Sequence, residues 1–267
     1  MTPIVHRQSG LQARSWPRPF WRYNQEVSTS TRDRLRGAWG QVARVTIVPE
    51  QAAGPAPWPG ALVVATGIAV GAVAWLGGRA LIALGTPPAV GGLVAIALAI
   101  VVGAGLIERG SFAAVERWLG ARWAPVVVGG ILLGRVTALW SIAPRAWLGA
   151  LVFAAAVGRL AAVGLQRLGD VGPAGRGRTL IVGPLGAIEL AVAAAVVIGL
   201  ALLVTGAPGL IILLIAGVAA AGFGLGVQLL DRELGGDSLA AIAAAIELIV
   251  LVGVAAAEPA LLSPFVR

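Results

Sequence analysis

Cysteine and lysine are absent from this chain, and histidine occurs once, at His6. Without cysteine there are no disulfides, zinc thiolates or thiol nucleophiles. A lone histidine in a polar N-terminal stretch leaves no Ser/His/Asp triad and no histidine metal cluster. Charge is scarce as well: 12% of residues are charged, where a soluble domain carries about 25%. What fills the space is apolar, with 58% hydrophobic residues and a mean hydropathy of +0.90. So little polar surface cannot coat a globule in water, and the solvent implied is lipid.

Seven apolar runs are long enough to span about 30 Å of hydrocarbon. They fall near 59–84, 89–107, 124–142, 147–165, 180–204, 208–229 and 238–262. Pro87-Pro88, Pro144 and Pro208 lie between or at the ends of runs, where helices stop or start. Gly77, Gly78 and Arg79 interrupt the first run. The expected fold is all-α, a polytopic bundle of about seven transmembrane helices occupying 45–267.

All 20 cationic residues are arginines, and their placement is lopsided. With the N-terminus in the cytoplasm, fifteen fall in inner segments, against Arg145 and Arg267 outside. That bias orients the chain with its N-terminus inside; the expected location is a bacterial inner membrane. Residues 1–44 form a basic tail with eight arginines, Trp16, Phe20, Trp21 and Tyr23. The tail reads as a solvated cytoplasmic segment or as one lying on anionic lipid. A pI near 11.6 does not imply nucleic acid here, because no basic segment sits on a recognisable binding motif.

Arg79, Arg135, Arg159, Glu189 and Glu247 fall inside the apolar runs. A charge near mid-bilayer costs about 2.5–3.5 kcal/mol, so each needs a partner or water. Arg135, Glu189 and Glu247 read as mid-span, which predicts that Arg135 pairs with one of the two glutamates. Small-xxx-small pairs at Gly67/Gly71, Gly130/Gly134 and Gly222/Gly226 mark possible close helix contacts.

One fragment, GAGLIERGSFAAVERW at 103–118, is unlike its surroundings, with Glu108, Arg109, Glu116 and Arg117 in ten residues. Phe112, Val115 and Leu119 form an apolar stripe along it, as in an interfacial helix. The fragment also belongs to a larger pattern. VTIVP (45–49), PWPGALVVATGIAVGAVAWL (57–76), GRVTALW (134–140) and LGGDSLAAIAAAIEL (234–248) follow in the order of four landmarks of one family. Together they resemble the cobalamin synthases, the adenosylcobinamide-GDP ribazoletransferases. These membrane enzymes join an activated corrinoid to a ribazole or its phosphate, release GMP and use magnesium.

In that resemblance the opening fragment occupies the place of a histidine- and aspartate-bearing motif. Gly105, Leu106 and Gly110 agree; the histidine position is Ile107, and the three aspartate positions are Arg109, Ala113 and Glu116. Positions i, i+4 and i+7 share a helical face, and three carboxylates there would gather a hard cation against a diphosphate. Here the face reads Arg, Ala, Glu. In the second motif Gly235, Gly236 and Glu247 agree, Ser238 keeps a hydroxyl in place of threonine, and Leu239 and Ala240 replace a glycine and an aspartate.

The resemblance implies Glu108, Glu116, Ser238 and Glu247 as the remaining catalytic candidates. It implies Glu108, Glu116 and Asp237 as candidate magnesium ligands, and Arg109, Gly110, Gly235 and Gly236 as candidate contacts to the bound group. With most acids lost, the expectation is weak or absent transferase activity. Such a relative would bind corrinoid or lipid, or associate with an intact cobalamin synthase. The alternative is a small transporter or channel subunit using buried Arg/Glu pairs. A transferase acting on CDP-alcohols fits less well, since that chemistry also needs clustered aspartates.

Overall fold

A computed structural model describes residues 59–103, 105–169 and 186–262. The basic tail, the VTIVP element and the arginines of the 170–185 segment lie outside the described residues. Every described element is a helix: α1 Pro59–Ala83, α2 Pro88–Val102, α3 Leu106–Leu119, α4 Ala124–Trp140, α5 Trp147–Leu168, α6 Ala187–Thr205, α7 Ala207–Asp231 and α8 Gly236–Leu262. Proline sits in the first turn of α2, α4 and α7, where its missing N–H would have no intrahelical partner anyway. Gly206, at φ +67, joins α6 to α7 in a turn that a side chain would strain.

Five helices are long and apolar enough to cross a membrane: α1, α5, α6, α7 and α8. The pair α2 and α3 passes the same test only as one element bent by 83°, and α4, largely apolar, is shorter at 17 residues. The chain is a helical, multi-pass membrane protein. Gly77 and Gly78 do not break the first run, and α1 continues through Arg79, which is exposed near the end of the helix.

Burial sorts the helices. In α5 72% of the apolar window is buried, whereas α6 and α7 reach only 17% and 28%. The core therefore runs along α5, packed against α1 on one side and α8 on the other, with Phe153, Val163, Ile246 and Val250 fully enclosed. The α6–α7 hairpin leans on this core and turns Leu203, Leu214, Leu225 and Leu229 outward, as lipid-facing helices should. At one end the chain is pinned by indole donors and a carboxylate. The Trp147 indole N–H donates to the carbonyls of Leu139 and Ile142, and Glu258 accepts the Ala143 N–H at 2.9 Å.

Two expectations need correction. Glu189 is not mid-span: it lies in the first turn of α6 and accepts the N–H groups of Gly60 and Ala61. It thereby caps α1, whose first N–H groups have no intrahelical acceptor. The apolar run begins at 180, but α6 starts at Ala187, which puts Glu189 in its first turn.

The stripe expected at 112, 115 and 119 also differs in part from the buried face, since Val115 is buried, Phe112 half-buried and Leu119 exposed. The buried face of α3 is Ile107, Gly110, Ser111, Ala114 and Val115, while Leu119 is exposed. Glu108 shares Arg135 with Glu247, and nine residues later Arg117 meets Asp237. Glu108 to Arg117 spans about 13.5 Å of helix, and Asp237 to Glu247 about 15 Å. These similar lengths make α3 an antiparallel neighbour of α8, reaching from its N-terminal end to the level of Glu247. Small residues at 110, 111 and 114 permit that contact, and the stripe count missed them because it scored only large apolar side chains.

Candidate functional site

Four charged side chains from four helices meet in the middle of the bundle. Arg135 of α4 contacts Glu247 of α8 at 2.9 Å and Glu108 of α3 at 3.2 Å; Arg159 of α5 contacts the other oxygen of Glu247 at 3.2 Å. Arg135 also donates to the Ala244 carbonyl and Arg159 to the Ala155 carbonyl. The predicted pairing of Arg135 with a glutamate is present, and Glu247 is the partner. Glu247 lies ten residues past Asp237, about 15 Å along α8, so the cluster sits well inside the apolar layer. An isolated charge there would be costly; the chain of alternating signs from Glu108 to Arg159 removes the net charge.

Glycine makes this crossing possible. A Cβ on Gly158 would stand 2.6 Å from Glu247 Cγ and 2.8 Å from the Ala243 carbonyl. A Cβ on Gly67 would meet the Ala155 carbonyl at 2.7 Å and Arg159 Cδ at 2.8 Å. Of the glycine pairs singled out in the sequence, Gly67/Gly71 is thus a close contact between α1 and α5. Gly134 approaches Leu248, whereas Gly130, Gly222 and Gly226 face open space.

Beside the cluster lies a cavity of about 60 Å³. At roughly 15 Å³ for each water position, it has room for about four. Glu108, Arg135, Arg159 and Glu247 line its polar side; Thr66, Val70, Ile96, Leu151 and Leu251 are among the residues closing the rest. Arg135 carries one buried nitrogen, Nε, with no hydrogen-bond partner among the described residues.

A second cluster lies at the N-terminal end of α8. Arg117 contacts Asp231 at 2.8 Å, donates to the Ser238 hydroxyl at 2.9 Å, and lies 3.8 Å from Asp237. The Trp118 indole and the Ser238 hydroxyl both donate to Asp231. This knot ties α3 to the α7–α8 turn.

The residues singled out in the sequence therefore separate. Glu108 and Glu247 join the deep cluster, and Asp237 and Ser238 the second. Glu116 and Arg109 are exposed on α3, while Gly110 and Gly236 are buried in helix contacts. Gly235 leads into α8, and its carbonyl accepts the Leu239 N–H. Asp231 and the Glu108–Arg135 contact carried no sequence signal, since each depends on which helices become neighbours.

Magnesium does not fit this arrangement. Glu108 and Glu116 are about 12 Å apart along α3, and Asp237 lies beside Arg117. No group of three acidic or histidine side chains able to hold a metal ion occurs among the described residues. Compared with models of protein families, with curated proteins and with solved structures, the chain matches none.

Proposed function

We propose that this chain is a non-catalytic relative of the cobalamin synthases, embedded in a bacterial inner membrane with seven crossings and its N-terminus in the cytoplasm. One observation carries the reading: segments that resemble the family in sequence come together around a single cavity. The first apolar landmark supplies Val63, Thr66, Val70 and Gly71, the opening fragment Gly103 and Leu106 to Glu108, the third landmark Arg135 and the fourth Glu247. Chance matches scattered over a glycine- and alanine-rich chain have no reason to converge. The two motif segments also touch directly through Arg117, Asp237 and Ser238.

The same geometry argues against transfer chemistry. Four acids are answered by arginine, Glu108 and Glu247 by Arg135 and Asp231 and Asp237 by Arg117, while Glu116 stands exposed on α3 away from them. A guanidinium standing on a carboxylate opposes binding of a second cation there. A role in binding corrinoid or lipid, or in association with an intact synthase, is what such a scaffold retains. The topology draws on the arginine bias, on the bent α2–α3 pair taken as one crossing and on α4 as another.

The test is GMP release from adenosylcobinamide-GDP and ribazole, with magnesium, by the full chain in membranes. No turnover is expected, and robust turnover would overturn the non-catalytic reading. A second reading, a small transporter or channel subunit, is favoured by one feature: a cavity with one charged wall lies at the level of Glu247, deep among apolar helices. Uptake of small solutes into proteoliposomes distinguishes it.

A further inference from the structure

The deep cluster balances its charges but not its hydrogen bonds. A guanidinium has five N–H donors and no acceptor. Arg159 spends Nη1 on both its acceptors, Ala155 and Glu247, which leaves Nε and Nη2 without one among the described residues. Arg135 engages Nη1 and Nη2 and leaves Nε unpaired although it is buried. Both side chains are more than nine-tenths buried, at 5% and 8% exposure, and both line the cavity. The first turn of α3 lines it too, and its N-cap residue, Gly105, offers no side chain to the uncapped N–H groups. The spare Arg159 donors, the two buried cations and a helix N-terminus around a small space favour an occupant that accepts hydrogen bonds, while Arg135 Nε is enclosed by protein.

We propose that this cavity binds a small monovalent anion of formate or acetate size, and that the Glu108 carboxylate holds the anion's place on Arg135 when the cavity is empty. Glu108 is the member of the cluster built to yield. It has one arginine partner at 3.2 Å and is 19% exposed, whereas Glu247 is held by two arginines and is 11% exposed. Its position in the first turn of α3, three residues after the helix break, lets its carboxylate leave Arg135 without moving α4, α5 or α8. The space of about four water positions matches an anion of three or four heavy atoms. The site stands under either reading of the chain's function.

The experiment is calorimetric titration of the full-length protein, in nanodiscs of zwitterionic lipid, with formate, acetate and nitrate. Saturable binding of at least one is expected. Glu108→Gln removes the tethered competitor, and affinity should rise by about tenfold, the ratio that 1.4 kcal/mol represents. Arg159→Gln should abolish binding. Because that variant leaves Glu247 short of a partner and risks misfolding, Thr66→Leu is the companion: it fills the cavity, keeps all three ion pairs, and should abolish binding in a protein that remains monodisperse. The proposal is overturned if none of the three anions binds to the wild type or to Glu108→Gln. It is equally overturned if Glu108→Gln binds no more tightly than the wild type, or if Thr66→Leu binds as the wild type does.

Discussion

The two arginine clusters use the same chemistry in different surroundings. Arg135 is 5% exposed and answers two glutamates inside the bundle; Arg117 is 45% exposed and answers two aspartates at its edge. Distance does not distinguish them, since the shortest contact in each is 2.8–2.9 Å. Solvent does. Water reaches the Arg117 guanidinium and weakens its pairs, although Asp231 and Asp237 are as covered as Glu108 and Glu247. Arg135 has no such alternative, and removing it strands carboxylates in a low-dielectric interior. The deep cluster thus acts as an all-or-none element of the fold, while the edge cluster is a fastening that the protein can lose.

That contrast can be broken by substitution, read as thermal unfolding in detergent. Arg135→Leu should have the largest effect, about 3–5 kcal/mol, because it leaves Glu108 and Glu247 short of a partner. Adding Glu247→Leu and Arg159→Leu should recover part of the loss, since apolar replacement of buried charged partners is often tolerated and the remaining charge, Glu108, is the most exposed of the four. If the single and triple variants unfold alike, the cluster is not a charge-coupled unit.

Gly158→Ala comes next, at about 1–3 kcal/mol, because the added methyl overlaps Glu247 Cγ and the Ala243 carbonyl. A melting point unchanged from wild type would mean that Glu247 approaches α5 less closely than described. Arg117→Ala should cost no more than about 1 kcal/mol despite its short contact with Asp231. A loss as large as that of Arg135→Leu would erase the distinction between the clusters. Gly222→Ala, on the open face of α7, should change stability within about 0.5 kcal/mol.

Composition made the fold class legible, and periodic hydropathy the helices. Six of the seven apolar runs reappear as single helices, α1 and α4 to α8, with ends shifted by a few residues. The seventh, 89–107, ends early at Val102 because Gly103 and Gly105 break it, and Gly105 adopts φ +61. Glu189 was misjudged for the opposite reason: an apolar run can continue past the point where the helix begins. Of the candidate site, Glu247 with Arg135 was legible because charges buried in lipid must pair. The contacts of Glu108 and Asp231 were not, since each lies at a helix end whose neighbours no local pattern specifies.

Amino-acid order alone determined that this chain lives among lipids as helices, because a polar backbone there must satisfy its own hydrogen bonds. It also determined that Arg135 would need an anion beside it. Which anion, and how many arginines would share it, was decided only by tertiary packing. Gly67 and Gly158 let α1, α5 and α8 approach closely enough to bring Arg159 to Glu247, and the bend between α2 and α3 carries Glu108 to the same place. The hydrophobic pattern is blind to these contacts, since lipid tails and helix faces are equally apolar and shape, not hydropathy, selects the neighbours.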